Sequence, residues 1–378
     1  MPENGALKIY MIAGEASGDL HGANLMKALR AEDQEIDFRF WGGDLMQEVA
    51  GKPVKHIREL AFMGFVEVLM NLRTILSNIN DCKKDILAYR PDAIVLIDYP
   101  GFNLRIAEWA KAQGIKVYYY VSPQVWAWKQ NRVHKIRRTV DHMFVILPFE
   151  KDFYAKFNYE VEYVGHPLLD AITQYRETAF SAVAFREKWN LGDKPVIAVL
   201  PGSRKQEVRV KLPIMLDAVK GLDNYQIVIA GAPSLETSFY EPLLEGRKVK
   251  VIHGATYDIL GSSEAAIVTS GTATLETALL NIPEVVCYKA SPVSYAIARR
   301  LIKIRFISLV NLIMDKEVVC ELIQHECNAK RIREELALIL EGGAKREKML
   351  GDYEILKKIL GGGGASRKVA QSLLKTIR

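Results

Sequence analysis

The residues of this chain that are best suited to catalysis or ligand binding lie in five short loops, each directly after an apolar run. The loops span residues 14–19, 98–101, 122–126, 201–204 and 270–272. If each apolar run is a strand of an open parallel sheet, its loop lies at the carboxyl edge of that sheet. Ligands bind at this edge in such folds. We therefore expect the five loops to form the functional site.

Asp98 is the candidate catalytic residue of the second loop. It follows the apolar run 93–97 and precedes Pro100 and Gly101. A carboxylate at this position would be partly desolvated, which raises its basicity. Asp98 could then act as the general base that deprotonates an attacking hydroxyl group. The alternative is a turn-forming role, since Asp often initiates turns.

The first loop, residues 14–19, matches neither the dinucleotide-binding glycine motif nor the P-loop, because no Lys-Ser/Thr pair follows its second glycine. Its carboxylates, Glu15 and Asp19, would repel phosphate and suit hydroxyl groups. The alternative is a tight turn in which Asp19 is the N-cap of the next helix. The candidate substrate-binding residues of the first and third loops are Gly14, Glu15, Ser17, Ser122, Gln124 and Trp126.

The two loops of the second half have the opposite character. Ser270, Gly271 and Thr272 open a predicted helix, whose free N–H groups and dipole favour an anion. Ser203 and Arg204 open another, and the Arg204 guanidinium can grip a phosphate in bidentate fashion. These loops predict a binding site for a nucleotide diphosphate.

Glu276 lies one turn inside the helix that follows Ser270. Its carboxylate could accept hydrogen bonds from both hydroxyls of a ribose, which would complete a nucleotide site. The alternative is a solvated helical charge.

No metal site or cofactor is predicted. The chain has no Asp-x-Asp pair, and the spacing of Cys320, His325 and Cys327 fits no standard zinc site. We expect these three residues to belong to a core or surface helix.

Apolar strand candidates alternate with amphipathic helical stretches almost throughout the chain. The strand candidates are residues 8–13, 37–41, 93–97, 116–121, 142–147, 160–164, 196–200, 226–230, 248–252, 265–269 and 284–288. This rhythm predicts an α/β protein with two doubly wound, Rossmann-like domains that face a central cleft.

The domain boundaries follow from where that rhythm pauses. We expect an N-terminal domain over 1–170, a linker over 171–194 and a C-terminal domain over 195–345. Helices at 346–378 form a C-terminal extension, interrupted by four glycines at 361–364. We expect these helices to pack on the N-terminal domain or on a partner chain, which would make a homodimer possible.

Composition excludes several classes of protein. The hydrophobic share of 49% and the charged share of 25% are those of a globular chain. Four cysteines are too few for a disulfide framework, which indicates a reducing compartment. A net charge of +6 is too small to indicate a nucleic-acid partner. We see no targeting or membrane-spanning segment and expect a cytoplasmic protein.

Two segments suggest a membrane surface. The predicted helix 61–80 is apolar around most of its circumference, so either two core layers enclose it or it lies in a bilayer interface. Its candidate lipid contacts are Phe62, Met63, Val66, Leu69 and Met70. The basic residues within 129–138 form either a solvated helix face or a contact with lipid headgroups or a substrate phosphate.

Six motifs resemble those of the lipid-A-disaccharide synthase family, glycosyltransferase family 19. They are AGEASGD at 13–19, YVSPQVWAW at 120–128, VGHP at 164–167, LPGSR at 200–204, SGTATLE at 270–276 and SLVNL at 308–312. The resemblance extends from about residue 8 to the C-terminus. The SPQVWAW run is highly specific, whereas SGTA with a following Glu is shared more widely among GT-B glycosyltransferases.

The resemblance implies the GT-B fold and a metal-independent, inverting transfer. Its donor would be UDP-2,3-diacylglucosamine and its acceptor 2,3-diacylglucosamine 1-phosphate (lipid X). Asp98 matches the family's proposed base, while Arg204, Glu276 and Asn311 match positions associated with the UDP donor. The family is peripheral on the cytoplasmic face of the inner membrane.

Three alternatives remain open at this point. The chain could be a lipid II-forming transferase, a UDP-sugar 2-epimerase, or a non-catalytic nucleotide-binding protein at the membrane surface.

Overall fold

The structure is a computed structural model that describes residues 6–60, 72–177, 180–301 and 304–377. The chain forms two compact units. Unit 1 comprises Met1–Pro167 and Gly362–Arg378, and unit 2 comprises Leu168–Gly361. Each unit contains one sheet in which every described strand pairing is parallel. The predicted pair of parallel-sheet α/β domains with a helical C-terminus is confirmed.

Unit 1 contains a seven-stranded sheet in the order β3-β2-β1-β4-β5-β6-β7. Its strands are β1 (Lys8–Ala13), β2 (Asp37–Gly42), β3 (Lys55–His56), β4 (Ala93–Ile97), β5 (Lys116–Tyr120), β6 (His142–Val145) and β7 (Glu162–Tyr163). Its helices are α1 (Ala16–Glu32), α2 (Asp44–Ala50), α3 (Leu72–Tyr89), α4 (Pro100–Ala112), α5 (Arg132–Thr139) and α6 (Glu150–Ala155), and the chain begins α7 (Pro167–Glu177) at the boundary. The central strands β1 and β4 are almost wholly apolar and buried, as strands covered on both faces must be.

Unit 2 contains a six-stranded sheet in the order β10-β9-β8-β11-β12-β13. Its strands are β8 (Val196–Leu200), β9 (Gln226–Gly231), β10 (Lys250–His253), β11 (Ser263–Thr269), β12 (Glu284–Tyr288) and β13 (Cys320–Ile323). Its remaining helices are α8 (Ala182–Trp189), α9 (Lys205–Ala218), α10 (Thr237–Leu244), α11 (Thr256–Gly261), α12 (Thr272–Leu279), α13 (Pro292–Leu301), α14 (Leu309–Met314), α15 (Ala329–Ala337) and α16 (Arg346–Leu360).

The segment at Cys320 differs from the sequence prediction. Cys320 begins strand β13, which pairs with β12, so the expected helix is wrong. Backbone pairing with β12 keeps the segment extended, and it is tied to the bend before residue 309 by the side chain of Glu321. Its carboxylate accepts hydrogen bonds from the backbone N–H groups of Ile307 and Ser308, each at 2.9 Å. These are tertiary contacts that override local propensity.

The C-terminal helices are divided between the two units. Helix α16 belongs to unit 2, and the last helix, α17 (Ala365–Ile377), belongs to unit 1. Helix α17 buries Val369, Ala370 and Leu373 in the core that also contains β1 and α1. The four glycines lie between these helices, where Gly361 and Gly364 adopt φ angles of 75° and 85° that favour glycine.

The segment predicted as a linker, 171–194, contains most of α7 and all of α8. The candidate membrane contacts Phe62, Met63, Val66, Leu69 and Met70 lie outside the described residues. Among the helices that the structure describes, none combines the length and the apolar character needed to cross a bilayer.

Asp19 has a structural role that differs from both alternatives weighed for it. It lies inside the first turn of α1, and its buried carboxylate accepts hydrogen bonds from the N–H groups of Gly43, Leu45 and Met46 at 2.7, 3.0 and 3.1 Å. Asp19 therefore caps α2, a helix that begins 25 residues later, and satisfies N–H groups that have no partner within α2.

We expect Asp19→Ala to lower the free energy of unfolding by about 2–3 kcal/mol, because it leaves three N–H groups without their acceptor. The measurement is chemical denaturation followed by circular dichroism. Asp81→Ala is the matched control, since Asp81 is exposed on α3. Equal stability of the two variants would contradict the capping role.

Candidate functional site

The first and second loops lie side by side at the carboxyl edge of the unit 1 sheet. Strand β1 pairs with β4 so that Ala13 is opposite Ile97, and the two loops follow these residues. A Cβ atom on Gly14 would lie 2.3 Å from the ring of Tyr99. Only glycine fits at position 14, because the Tyr99 ring covers its backbone. Glu15 is partly buried beside Asp98, whereas Ser17 is exposed.

The backbone of Asp98 is fixed by three hydrogen bonds. Its N–H group donates to the Tyr120 carbonyl at 3.1 Å. Its carbonyl oxygen accepts from Asn103 Nδ2 at 2.8 Å and from the Tyr119 hydroxyl at 2.5 Å. Asp98 and Tyr99 both adopt left-handed φ angles, 44° and 49°. Such strain at non-glycine residues persists only where surrounding contacts enforce it, and it concentrates at functional sites.

This backbone holds the Asp98 carboxyl group in a poorly hydrated position. The pKa of Asp98 is raised to about 6, mainly by burial and to a smaller extent by the negative charge of Glu15. A hydrogen bond from the Tyr99 backbone acts in the opposite direction. Asp98 is thus a carboxylate whose basicity is matched to neutral pH.

The third loop is held by two buried side chains, and one of its three predicted site residues is exposed. Ser122 is buried and shares a hydrogen bond of 2.7 Å with the Tyr154 hydroxyl. Trp126 is also buried and packs edge-on against Phe149, with ring centroids 5.0 Å apart. Gln124 is exposed. Ser122 and Trp126 therefore fix the loop, and Gln124 is the predicted residue of this loop that faces solvent.

A buried carboxyl group, Glu150, supports the same loop and was not identified from the sequence. Its Oε2 atom accepts from the Leu147 N–H group at 2.9 Å, and burial raises the pKa of Glu150 to about 7. Hydrogen bonding from Ser122 acts against this rise. The signal in the sequence is an acidic residue in the first turn of a helix that closely follows a strand.

In unit 2 the fourth loop presents a cation. Arg204 is the N-cap residue of α9, and its side chain is more than half exposed. Its Nη1 atom lies 3.7 Å from Glu207 Oε1, which is too far for a strong hydrogen bond. Glu207 also lies 3.9 Å from the buried amino group of Lys211 and packs against Gly202. The guanidinium is therefore accessible to an anion; Ser203 beside it is exposed.

The fifth loop lies next to the fourth because β11 pairs with β8. Gly271 is the N-cap residue of α12, and both Gly271 and Thr272 are exposed. The first N–H groups of this helix have no acceptor within it. The Ser270 hydroxyl instead donates to the Ile307 carbonyl at 3.2 Å. The loop offers backbone donors at a helix N-terminus and follows a strand that pairs with the strand before the Arg204 loop.

Glu276 is partly buried one turn into α12. The Tyr257 hydroxyl donates to Glu276 Oε1 at 2.9 Å, and burial raises the pKa of Glu276. Tyr257 was not identified from the sequence. It orients the Glu276 carboxyl group and leaves the second oxygen, Oε2, available to accept a hydrogen bond from a ligand.

Asn311, predicted as a position associated with the UDP donor, has its side chain engaged within the protein. It is fully buried, and its Nδ2 atom donates to the Val319 carbonyl and to Glu321 Oε1, each at 2.9 Å. Its Oδ1 atom accepts from the N–H groups of Val318 and Val319 at 2.7 and 3.0 Å. These four bonds use the full capacity of the amide. Asn311 therefore fixes α14 and the segment after it.

Within the described ranges, no group of three or more His, Cys, Asp or Glu side chains is arranged to hold a metal ion.

Comparison with solved structures defines the class of fold. A UDP-GlcNAc 2-epimerase from Neisseria meningitidis, solved with UDP-GlcNAc bound, aligns with a TM-score of 0.68 and 14% identity over 98% of this chain and 100% of that one. A calicheamicin glycosyltransferase aligns with a TM-score of 0.59 and 14% identity over 98% and 99%. Identities this low establish the fold alone, which is the GT-B fold shared by glycosyltransferases and these epimerases.

Sequence comparison identifies the family. The family model described as lipid-A-disaccharide synthetase matches residues 9–372. A lipid-A-disaccharide synthase from Syntrophus aciditrophicus is 40% identical over 98% of both chains. One from Myxococcus xanthus is 39% identical over 98% of this chain and 97% of its own. The chain belongs to the lipid-A-disaccharide synthase family.

We expect Glu15→Gln to lower the pKa of Asp98 below its value of about 6, because the substitution removes a neighbouring negative charge that disfavours the carboxylate. Burial remains, so the pKa should stay above the ordinary Asp range. The measurement is an NMR titration of the Asp98 carboxyl carbon. Glu35→Gln, which removes an exposed charge from the same unit, is the control. An unchanged or higher midpoint in Glu15→Gln would refute the coupling.

Proposed function

We propose that this protein is an inverting glycosyltransferase that condenses UDP-2,3-diacylglucosamine with 2,3-diacylglucosamine 1-phosphate. The products are the β-1,6-linked lipid A disaccharide 1-phosphate and UDP. Membership of the lipid-A-disaccharide synthase family supports this reaction. The single structural observation that carries it is the buried Asp98 carboxyl group, which extends from a hydrogen-bonded backbone at the sheet edge and whose pKa burial raises to about 6.

In the proposed reaction, Asp98 accepts the proton of the acceptor 6-hydroxyl group. The hydroxyl oxygen then forms a bond with the anomeric carbon of the donor, on the face opposite UDP. The bond between that carbon and the UDP oxygen breaks, and its electron pair leaves with UDP. The transition state resembles an oxocarbenium ion, by analogy with glycosidases. Inversion requires only this one carboxylate as base.

Positively polarised groups of unit 2 stabilise the negative charge that develops on the leaving UDP. Arg204 and the N-terminus of α12 supply positive potential to the leaving diphosphate. Glu276 accepts hydrogen bonds from the ribose hydroxyls while Tyr257 holds it in place. The interactions of Arg204 and the α12 N-terminus with the diphosphate strengthen as negative charge accumulates there, which is the requirement for catalysis rather than simple binding.

We also propose that the protein works at the cytoplasmic face of the inner membrane as a peripheral protein. Both substrates of the proposed reaction carry acyl chains, which partition into bilayers. The predicted contact segment at residues 62–70 would reach them there.

We expect Asp98→Asn to reduce turnover by at least about 100-fold, the low end of the effect of losing a general base. UDP-sugar binding should persist, because the bonds that fix residue 98 involve its backbone. In the wild-type protein, activity should fall as the pH drops through about 6, where the Asp98 base becomes protonated. Turnover is measured by UDP release and binding by calorimetry.

Asp152→Asn, an exposed substitution in the same unit, is the control and should keep wild-type turnover. Near wild-type rates in Asp98→Asn would remove Asp98 from the role of base. Loss of UDP-sugar binding along with turnover would indicate a binding role instead.

A further inference from the structure

Four of the five basic residues within 129–138 separate into two groups in the structure, and the fifth, Arg138, is exposed. Lys135 pairs with Glu108 at 2.7 Å, and Arg137 donates to the Phe157 carbonyl at 2.9 Å. Lys129 and Arg132 differ from these, since neither side chain makes an ion pair or a hydrogen bond with another group in the described part of the chain. Both lie against the ring of Trp128 instead.

Trp128, Lys129 and Arg132, here called the Trp128 cluster, form a preorganised cationic surface. The Lys129 amino group lies 4.3 Å from the Trp128 ring centroid, and the Arg132 guanidinium carbon lies 5.6 Å from it. Cation–π contacts of this kind restrain both side chains without neutralising their charge. Trp128 is 38% exposed, and Lys129 adopts a left-handed φ of 54°. A strained residue and an exposed aromatic ring together indicate a surface held ready for a ligand.

The Trp128 cluster lies on the same sheet edge as Asp98. It follows β5, whose last carbonyl, that of Tyr120, accepts from the Asp98 N–H group. The positive charge of Arg132 acts on Tyr119, whose hydroxyl group donates to the Asp98 carbonyl. The carboxylates of Glu15 and Asp98 repel anions from their part of this edge. An anionic group of a substrate would therefore bind at the Trp128 cluster.

We propose that the Trp128 cluster binds the phosphate monoester of the acceptor, an inference that rests on the proposed function. A phosphate monoester is a compact anion that a guanidinium can hold in bidentate fashion and an ammonium can hold as a point charge. With its phosphate held at the cluster, the acceptor sugar turns its 6-hydroxyl group toward Asp98. Lys129 and Arg132 then determine the selectivity for phosphorylated acceptors.

The test measures turnover of two acceptors, 2,3-diacylglucosamine 1-phosphate and its dephosphorylated form. Each acceptor is assayed with the wild-type protein, the Arg132→Gln variant and the Lys129→Gln/Arg132→Gln double variant. For the phosphorylated acceptor, kcat/KM should fall about tenfold or more, mainly through KM, as expected for a lost charge-assisted hydrogen bond. For the dephosphorylated acceptor, kcat/KM should change little, so selectivity declines. Arg138→Gln, an exposed charge on the same helix, should preserve selectivity.

The other outcomes overturn the proposal. Equal losses with both acceptors, or unchanged selectivity, would exclude phosphate recognition by the cluster. Weaker binding to vesicles containing anionic phospholipid, with unchanged selectivity, would assign the cluster to lipid headgroups. If the wild-type protein turns over neither acceptor, the proposed function fails. Calorimetric binding of the phosphorylated acceptor to wild-type and Arg132→Gln protein then still decides whether the cluster holds its phosphate.

Discussion

The hydrogen bonds to the backbone of Asp98 are the interaction on which the unit 1 site depends. The carbonyl oxygen of Asp98 is held from two directions, by Asn103 and Tyr119, while its N–H group is held by the neighbouring strand. These bonds stabilise a left-handed backbone that aspartate would otherwise avoid. They place the Asp98 side chain at the sheet edge, where burial of its carboxyl group is the main reason for its raised pKa.

The two sheet edges differ in charge in a way that suits the nucleophile and the leaving group of the proposed transfer reaction. The unit 1 edge carries Glu15 and Asp98, which suit an uncharged hydroxyl nucleophile. The unit 2 edge carries Arg204 and the N-terminus of α12, which suit a diphosphate. The small net charge of +6 is thus an average over acidic and basic surfaces with separate tasks. Its distribution, rather than its size, indicates anionic sugar substrates.

The sequence predicted most of the fold because strands buried on both faces read as unbroken apolar runs. The runs at β1, β4, β8 and β12 match their strands residue for residue. The two-residue β3 has no such run, and β13, which pairs with β12, is a short strand of mixed polarity. The loops of the candidate site were predictable from their places after these strands. The role of each side chain within these loops was not predictable. Asp19 caps a distant helix, and the Asn311 amide makes all its hydrogen bonds inside the protein. Both roles depend on residues that come close only when the chain folds.

Mass spectrometry of the lipid products is the most direct test of the proposal that this protein joins two acylated sugars. Purified protein would be incubated with UDP-2,3-diacylglucosamine and 2,3-diacylglucosamine 1-phosphate. We expect a tetra-acylated disaccharide monophosphate that forms in step with UDP. Recovery of both lipids unchanged, from protein that is folded and binds UDP, would contradict this proposal.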